Sequence, residues 1–466
     1  MLEFKRLEEV NLIKEYIEQS QIQFCDISLG VRYMWGDDFM VDYAIFDDTL
    51  ILKESCIDYQ NAFYYPMGKN INGAIEQIEE YTLKNNIPLQ FCCLDNKTAG
   101  ELSNRYKKVF IYNDRDWSDY IYNAEKFKTY SGNKLSGQRN HVNKFKRLYP
   151  NYKFKQIEQS DFVRIKDFLN EFESNKEFLR WSEKVEQKKV FDLVENMQKL
   201  NQVGGLIEVD NKVIAFSVGE IVNDTLIVHI EKALTQYAGI YPTMAQEFAK
   251  EFCKDGVELI NREEDCGDSG LRISKLQYQP LEVKEKNILQ VKRLFDFITS
   301  PILIKTERLE ICDIIIGDKT DYFNLYTDEK LNEFWGYDYR EDLGDKTPTE
   351  DYFFAFQKSL KEKGEEYSLA VKLNGKMIGE LVLHGFDYQL GVEIGFRFFS
   401  EYQSKGYAIE SASALIDYVK QSLGANKIKA KCFKQNVKSK KLIEKLGFKI
   451  VNESSTHYYF IKQLAE

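Results

Sequence analysis

Proline and glycine are scarce, 7 and 26 residues of 466, which excludes collagen-like, proline-rich or glycine-serine linker architecture of any length. No uninterrupted apolar run approaches the roughly 18 residues that cross a bilayer, and Met1 to Val10 mixes charge with Leu and Phe instead of building a signal-peptide core. The chain therefore reads as cytoplasmic, with no membrane insertion. The 4 histidines stand singly and the 8 cysteines form no CxxC, so no metal site and no disulfide framework is expected. Positive charge is in deficit: 64 Lys and Arg against 74 Asp and Glu leave a net charge of -10. That balance excludes a protein that coats nucleic acid or anionic membrane over its whole surface, though not a local basic patch.

What is present is apolar and aromatic residues, 43% and 14% of the chain, far more than a disordered sequence carries. At this length, two or three globular units are expected. The chain also repeats its own order of elements. After Gly204, apolar runs Leu206 to Val209 and Val213 to Glu220 flank Asp210-Asn211, and Leu226 to Ile230 follows. After Tyr367, runs Ser368 to Leu373 and Met377 to Leu383 flank Asn374-Gly375, a strong hairpin signal, and Val392 to Phe399 follows. Each meander leads through a glycine-containing loop into an amphipathic helix (Pro242 to Cys253; Ile409 to Ser422) and another strand (Val257 to Ile260; Lys427 to Phe433). The first 125 residues show a looser version, with a helix from Asn11 to Gln19 and another from Gly73 to Lys84. Lys284 to Phe297 reads as a connecting helix before a boundary at Thr299-Ser300-Pro301, and Ile302 to Ile311 as a fresh strand.

At Gln403-Ser404-Lys405-Gly406-Tyr407-Ala408 a strand gives way to a helix through small residues. Gly406 and Ala408 let the backbone come close to a phosphate, and the free N-H groups of the helix start aim partial positive charge at it. This string resembles the Q/R-x-x-G-x-G/A pyrophosphate signature of the GNAT acetyl-CoA-dependent N-acetyltransferases. Lys305-Thr306-Glu307-Arg308-Leu309, Val392-Glu393-Ile394-Gly395-Phe396 and Asn436-Val437-Lys438-Ser439 followed by Leu446-Gly447-Phe448 are similar to the ribosomal-protein alanine N-acetyltransferase branch, over residues 301–466.

The resemblance implies acetyl-CoA as cofactor and direct attack of a neutral amine on the thioester. The acceptor would be a small-molecule or peptide amine. Phe396, Arg397 and Phe398 would line the pantetheine arm through backbone groups. Gln403, Ser404, Lys405, Gly406, Tyr407 and Ala408 would hold the pyrophosphate, and Asn436 and Ser439 the arm or a bridging water. Glu393 would be the general base, or else a strand glutamate paired with a cation. Where the family often has a tyrosine as general acid this chain has Ile443, which leaves that role to Ser439 or solvent. Tyr326, Trp335 and Tyr337 stand where helices cover the acceptor pocket, or else are core aromatics.

Between Lys126 and Arg147 lie seven cations and no Asp or Glu. Lys134, Arg139, Lys144 and Arg147 are candidates for a polyanion or tRNA contact; alternatively Leu135, Val142 and Phe145 form a buried stripe with the cations facing water. The strings Tyr120-Ile121-Tyr122 to Phe145 and Asn261-Arg262-Glu263-Glu264-Asp265 to Pro280 resemble the C-terminal domain of phosphatidylglycerol lysyltransferases, over roughly residues 20–290. That family is built of tandem GNAT-like folds, and its characterised members move an aminoacyl group from tRNA. Arg139, His141, Asn261, Arg262, Glu264, Asp265 and Arg272 would surround its cleft. The loop Tyr237 to Tyr241 departs from the pyrophosphate signature, so no coenzyme is expected there. The resulting expectation is an α/β chain of mixed sheets with three GNAT-like acyl-CoA N-acyltransferase folds. Residues 1–298 would form a tandem module (subdomains about 1–145 and 146–298) and 299–466 an acetyltransferase domain. The alternative function is an aminoacyl-tRNA-dependent aminoacyl transferase with an accessory C-terminal domain.

Overall fold

The computed structural model describes residues 2–20, 24–56, 59–174, 181–335, 339–343 and 347–464. Asn374 and Gly375 sit at φ 50° and 82°, as do Asp210 and Asn211 at 50° and 66°. These left-handed pairs make the tight turns that match strand twist, so each predicted hairpin forms in register. Described strands assemble into three mixed sheets. The chain divides into two compact units, the first holding Met1–Tyr81, Leu89–Glu101 and Ile111–Gln290, the second Thr82–Pro88, Leu102–Phe110 and Val291–Glu466.

In the first unit, one sheet is built on the hairpin Asp42–Phe46/Thr49–Glu54 with Gln90–Leu94, and it also receives Asn287–Val291 from late in the chain. The other is the meander Gln202–Val209, Lys212–Val222, Thr225–Ala233, extended by Leu259–Asn261 and by Asp119–Asn123 from early in the chain. The two folds are therefore interleaved. Residue 145 lies inside the helix Ser136–Leu148, which packs on the helix Ile240–Phe252 of the second sheet, so the sheets do not divide there. The expected connecting helix at 284–297 is also absent. Its place is taken by strands Glu282–Lys284 and Asn287–Val291 and a 3-10 turn Leu294–Phe297. The residues of Asn287–Val291 alternate between buried and half-buried, a period of two hidden under apolar spacing that also fits a helix.

In the second unit the sheet runs Leu303–Lys305, Leu309–Asp313, Glu366–Leu373, Lys376–His384, Gly391–Phe398, Lys427–Phe433, His457–Gln463, Lys449–Glu453. The single strand expected at 302–311 is broken at Thr306–Arg308, where the Leu309 N-H donates to Thr306 Oγ1 at 2.9 Å. Helix Tyr407–Gln421 buries Ala412, Leu415, Ile416 and Val419 in one cluster with Val392, Ile394 and Ile428 of the sheet. No described helix is long and apolar enough to cross a membrane.

Candidate functional site

Strands Gly391–Phe398 and Lys427–Phe433 run parallel and pair only at Gly391/Lys427, Val392/Ile428 and Glu393/Lys429. Beyond that point each stays bonded to its other neighbour, so the two diverge and leave an opening between them. Phe399 N-H donates to Ile378 O at 3.1 Å. Because antiparallel backbone groups alternate sides, the N-H and C=O of Arg397 point to the strand Lys376–His384, whereas those of Phe396 and Phe398 point to the opening. Arg397 thus departs from the expected cofactor contact. Its guanidinium is buried against Glu380 at 2.7 Å, donates to Asn332 Oδ1 at 2.6 Å, and lies between Tyr326 and Trp335 at 3.9 and 4.4 Å from the ring centres. Tyr337 lies outside the described residues.

At the end of the opening, Gly406 adopts φ 86° and starts the helix Tyr407–Gln421. A side chain is strained at that angle, and an ideal Cβ would stand 3.2 Å from Arg308 Nη2. Ser404, Lys405 and Gly406 are exposed, with Tyr407 and Ala408 half-buried behind them. Gln403 Nε2 donates to Phe398 O at 3.0 Å and ties the loop to the strand. Asn436 Oδ1 accepts the Ser439 N-H at 3.1 Å and caps the helix Val437–Lys445; Ile443 of that helix is buried in the core.

Glu393 occupies the last paired position. Its carboxylate is 3.7 Å from His384 Nε2 and 3.9 Å from Lys431 Nζ, and Glu366, His384 and Glu393 stand in one row across three strands. Burial lowers the His384 pKa and, with Glu380 nearby, pushes Glu366 up to about 7. His384 and Glu366 were not identified from sequence, although the register of the Asn374-Gly375 hairpin brings them opposite one another. Asp387, by contrast, is held by Lys429 at 2.7 Å and accepts the Gly391 N-H.

The second sheet repeats this geometry with a different filling. Thr225–Ala233 and Leu259–Asn261 pair in parallel only to Ile227/Asn261. Gly239, at φ 89°, starts the helix Ile240–Phe252, but a Cβ there would meet His141 O at 2.2 Å and Phe145 Cβ at 3.2 Å. The helix start is covered by the protein's own backbone.

Beside the parting lies a charged interior. Lys286 Nζ is 2.5 Å from Asp26, 2.8 Å from Asp119 and 3.5 Å from Glu264, and 3.4 Å from Cys25 Sγ; Asn261 Nδ2 donates to Asp119 at 2.7 Å. Burial raises Glu264 to about 7. Cys25, Asp119 and Glu264 could offer metal ligands, yet an ammonium already stands among them. His229 lies 2.8 Å from Glu263 and 3.5 Å from Glu220; burial opposes its charge, and these carboxylates still raise it to about 9.

Of the residues expected around this cleft, Asn261 and Glu264 join the cluster. Arg262 pairs with Glu231 at 2.8 Å, and Asp265 with Arg272 at 2.7 Å. Arg139 donates to Tyr130 O and to Gly132 O, the latter at 2.6 Å, whereas Lys134 is exposed in the 3-10 turn Asn133–Leu135 and Lys144 and Arg147 are exposed on the following helix, whose Val142 and Phe145 are buried. Cys25, Asp26, Asp119 and Lys286 come from segments too far apart in sequence to be linked by any spacing.

A family model described as phosphatidylglycerol lysyltransferase, C-terminal, matches residues 18–288, more than half of the chain, and one described as acetyltransferase (GNAT) domain matches residues 308–449. The uncharacterized N-acetyltransferase YnaD of Bacillus subtilis is 29% identical over 147 residues, 31% of this chain and 82% of that protein. The uncharacterized protein MYCGA3080 of Mycoplasmoides gallisepticum is 24% identical over 232 residues, 47% of this chain and 69% of that one. A crystal structure of a conserved protein of unknown function from Bacteroides thetaiotaomicron superposes with a TM-score of 0.58 at 27% identity, covering 63% of this chain and all of that one. The chain belongs to the family of the phosphatidylglycerol lysyltransferase C-terminal domain and continues into a GNAT acetyltransferase domain, which makes it an acyltransferase.

Proposed function

We propose that the C-terminal fold transfers acetyl from acetyl-CoA to a primary amine, a protein N-terminus or a small amine, and that the N-terminal module is a lysyltransferase-like transfer or recognition unit. The observation that carries this reading is the parting of Gly391–Phe398 from Lys427–Phe433 in line with the Gly406 loop. The residues fit the cofactor: backbone groups of Phe396 and Phe398 would bind the pantetheine arm, and the N-H groups around Gly406 to Ala408 the pyrophosphate. Acetyl-CoA supplies an activated thioester when bound. Glu393, at the last paired position, would accept the proton of the incoming amine, with neutral His384 next to it as a further acceptor. Asn436 already caps a helix through its oxygen, which leaves its amide nitrogen for the arm. Ser439 or solvent would return a proton to the thiolate. Incubating the full chain with acetyl-CoA and a panel of peptide N-termini and polyamines, and measuring thiol release together with acetyl mass gain, tests the reading. Absence of both with every amine would count against it.

A second reading has its own support. The family match over residues 18–288 and the exposed Lys134, Lys144 and Arg147 favour an aminoacyl-tRNA-dependent aminoacyl transferase with the C-terminal fold accessory. The covered helix start at Gly239 argues that this module does not hold coenzyme A.

A further inference from the structure

Arg308 lies on the short turn between Leu303–Lys305 and Leu309–Asp313, and its guanidinium stands directly over the phosphate loop. Glu410, in the first turn of the helix Tyr407–Gln421, holds it there. Thr306 Oγ1 donates to Glu410 Oε1 at 2.5 Å, the Arg308 N-H donates to the same oxygen at 3.0 Å, and Arg308 Nε and Nη2 reach Oε2 at 2.7 and 2.6 Å. Arg308 Nη1 donates to Lys405 O at 3.2 Å, and the guanidinium lies 4.6 Å from the centre of the Tyr407 ring.

This is an unusual place for a cation. The N-terminal end of a helix carries partial positive charge, so Glu410 is well placed there and Arg308 is not. Lys405 adds a second positive charge beside the loop, and the carboxylate of Glu410 is already engaged by Thr306 and Arg308. The contrast with the second sheet is informative. There the space over Gly239 is filled by the His141 carbonyl, fixed backbone that cannot withdraw. Over Gly406 it is filled by the tip of a side chain 42% exposed to solvent, which can swing aside. A planar guanidinium also matches the paired oxygens of a phosphate.

We propose that Arg308, held over the loop by Glu410, is a phosphate-binding residue of the coenzyme site that turns onto the pyrophosphate when the coenzyme enters. The proposal rests on acetyl-CoA being the cofactor. Arg308 would then serve as a clasp that favours phosphate-bearing donors over other thioesters.

Calorimetric titration of the full chain with coenzyme A tests this at low and high salt. Arg308→Gln should weaken binding about tenfold at low salt and flatten the salt dependence. Glu410→Gln breaks the same clasp but keeps the cation, so its affinity should equal or exceed the wild type; thermal melts establish that each variant is folded. If Arg308→Gln binds as tightly as the wild type, or if Glu410→Gln loses as much as Arg308→Gln, Arg308 is only a structural tie and the proposal falls. If the folded wild type takes up no coenzyme A, the cofactor reading falls first and this proposal with it.

Discussion

Glu393 and Lys429 are the last residues at which strands Gly391–Phe398 and Lys427–Phe433 touch as a ladder. A carboxylate is thereby fixed at the vertex of an opening whose far end is the Gly406 loop. The same vertex in the second sheet is Ile227 and Asn261, and there the opening leads to a helix start closed by His141. One architecture thus appears twice, once with the loop before its helix exposed and once with it covered.

If Glu393 accepts the amine proton, Glu393→Gln should lower kcat by roughly 100-fold with little change in coenzyme affinity. His384→Gln should cost less, because His384 stands behind Glu393. Unchanged turnover in Glu393→Gln would move the role to His384 or solvent, and comparing the two variants' pH profiles would tell which.

Arg397 holds the core rather than the cofactor. Arg397→Met strands the fully buried Glu380 carboxylate without its partner, and denaturant unfolding should record a loss of about 3–5 kcal/mol. Replacing both residues by Met should restore much of that stability. A loss below about 1 kcal/mol in the single variant would contradict the structural role.

His229 should make stability pH-dependent. Its folded-state pKa of about 9 exceeds the usual histidine value, so the protonated form stabilises the fold. That contribution is complete below about pH 6.5 and is lost as pH rises through about 9, for a total of roughly 3 kcal/mol. Melting temperatures of the wild type should therefore fall over this window more steeply than those of His229→Asn. Parallel curves would mean that His229 is neutral in the fold.

The basic stretch Lys126 to Arg147 separates into two roles. Lys134→Gln, Lys144→Gln and Arg147→Gln together should leave the melting temperature nearly unchanged and flatten the salt dependence of any tRNA binding measured by filter retention. Arg139→Gln removes two bonds to backbone carbonyls and should cost about 1–2 kcal/mol of stability. Equal and weak retention of tRNA by the wild type and the triple variant would make the stretch an ordinary solvated surface.

The hairpins, the two helix starts and the order of strands were legible because glycine and asparagine in turns, alternation along strands and period 3.6 in helices are local signals. The loop from Gln403 to Ala408 was legible for the same reason. Strand exchange between the first two sheets was not, since Asn287–Val291 and Asp119–Asn123 pair with partners far away in sequence. Of the charged interior around Lys286, Asn261 and Glu264 were legible, but Cys25, Asp26, Asp119 and Lys286 itself were not: the carboxylates are spread along the module, and only the fold brings them within 3.5 Å of one ammonium. Arg397 misled because its backbone groups and its guanidinium both turn to the neighbouring strand Lys376–His384, and only the register, which sets it opposite Glu380, reveals this.

The most direct measurement is calorimetric titration of the full chain and of Gly406→Glu with coenzyme A. The wild type is expected to bind one equivalent. Gly406→Glu, which forces a side chain onto φ 86° and sets a carboxylate against the pyrophosphate, should weaken binding by roughly 100-fold or more while melting as a folded protein. Two equivalents, no binding by the wild type, or undiminished binding by Gly406→Glu would contradict a single coenzyme site at this loop.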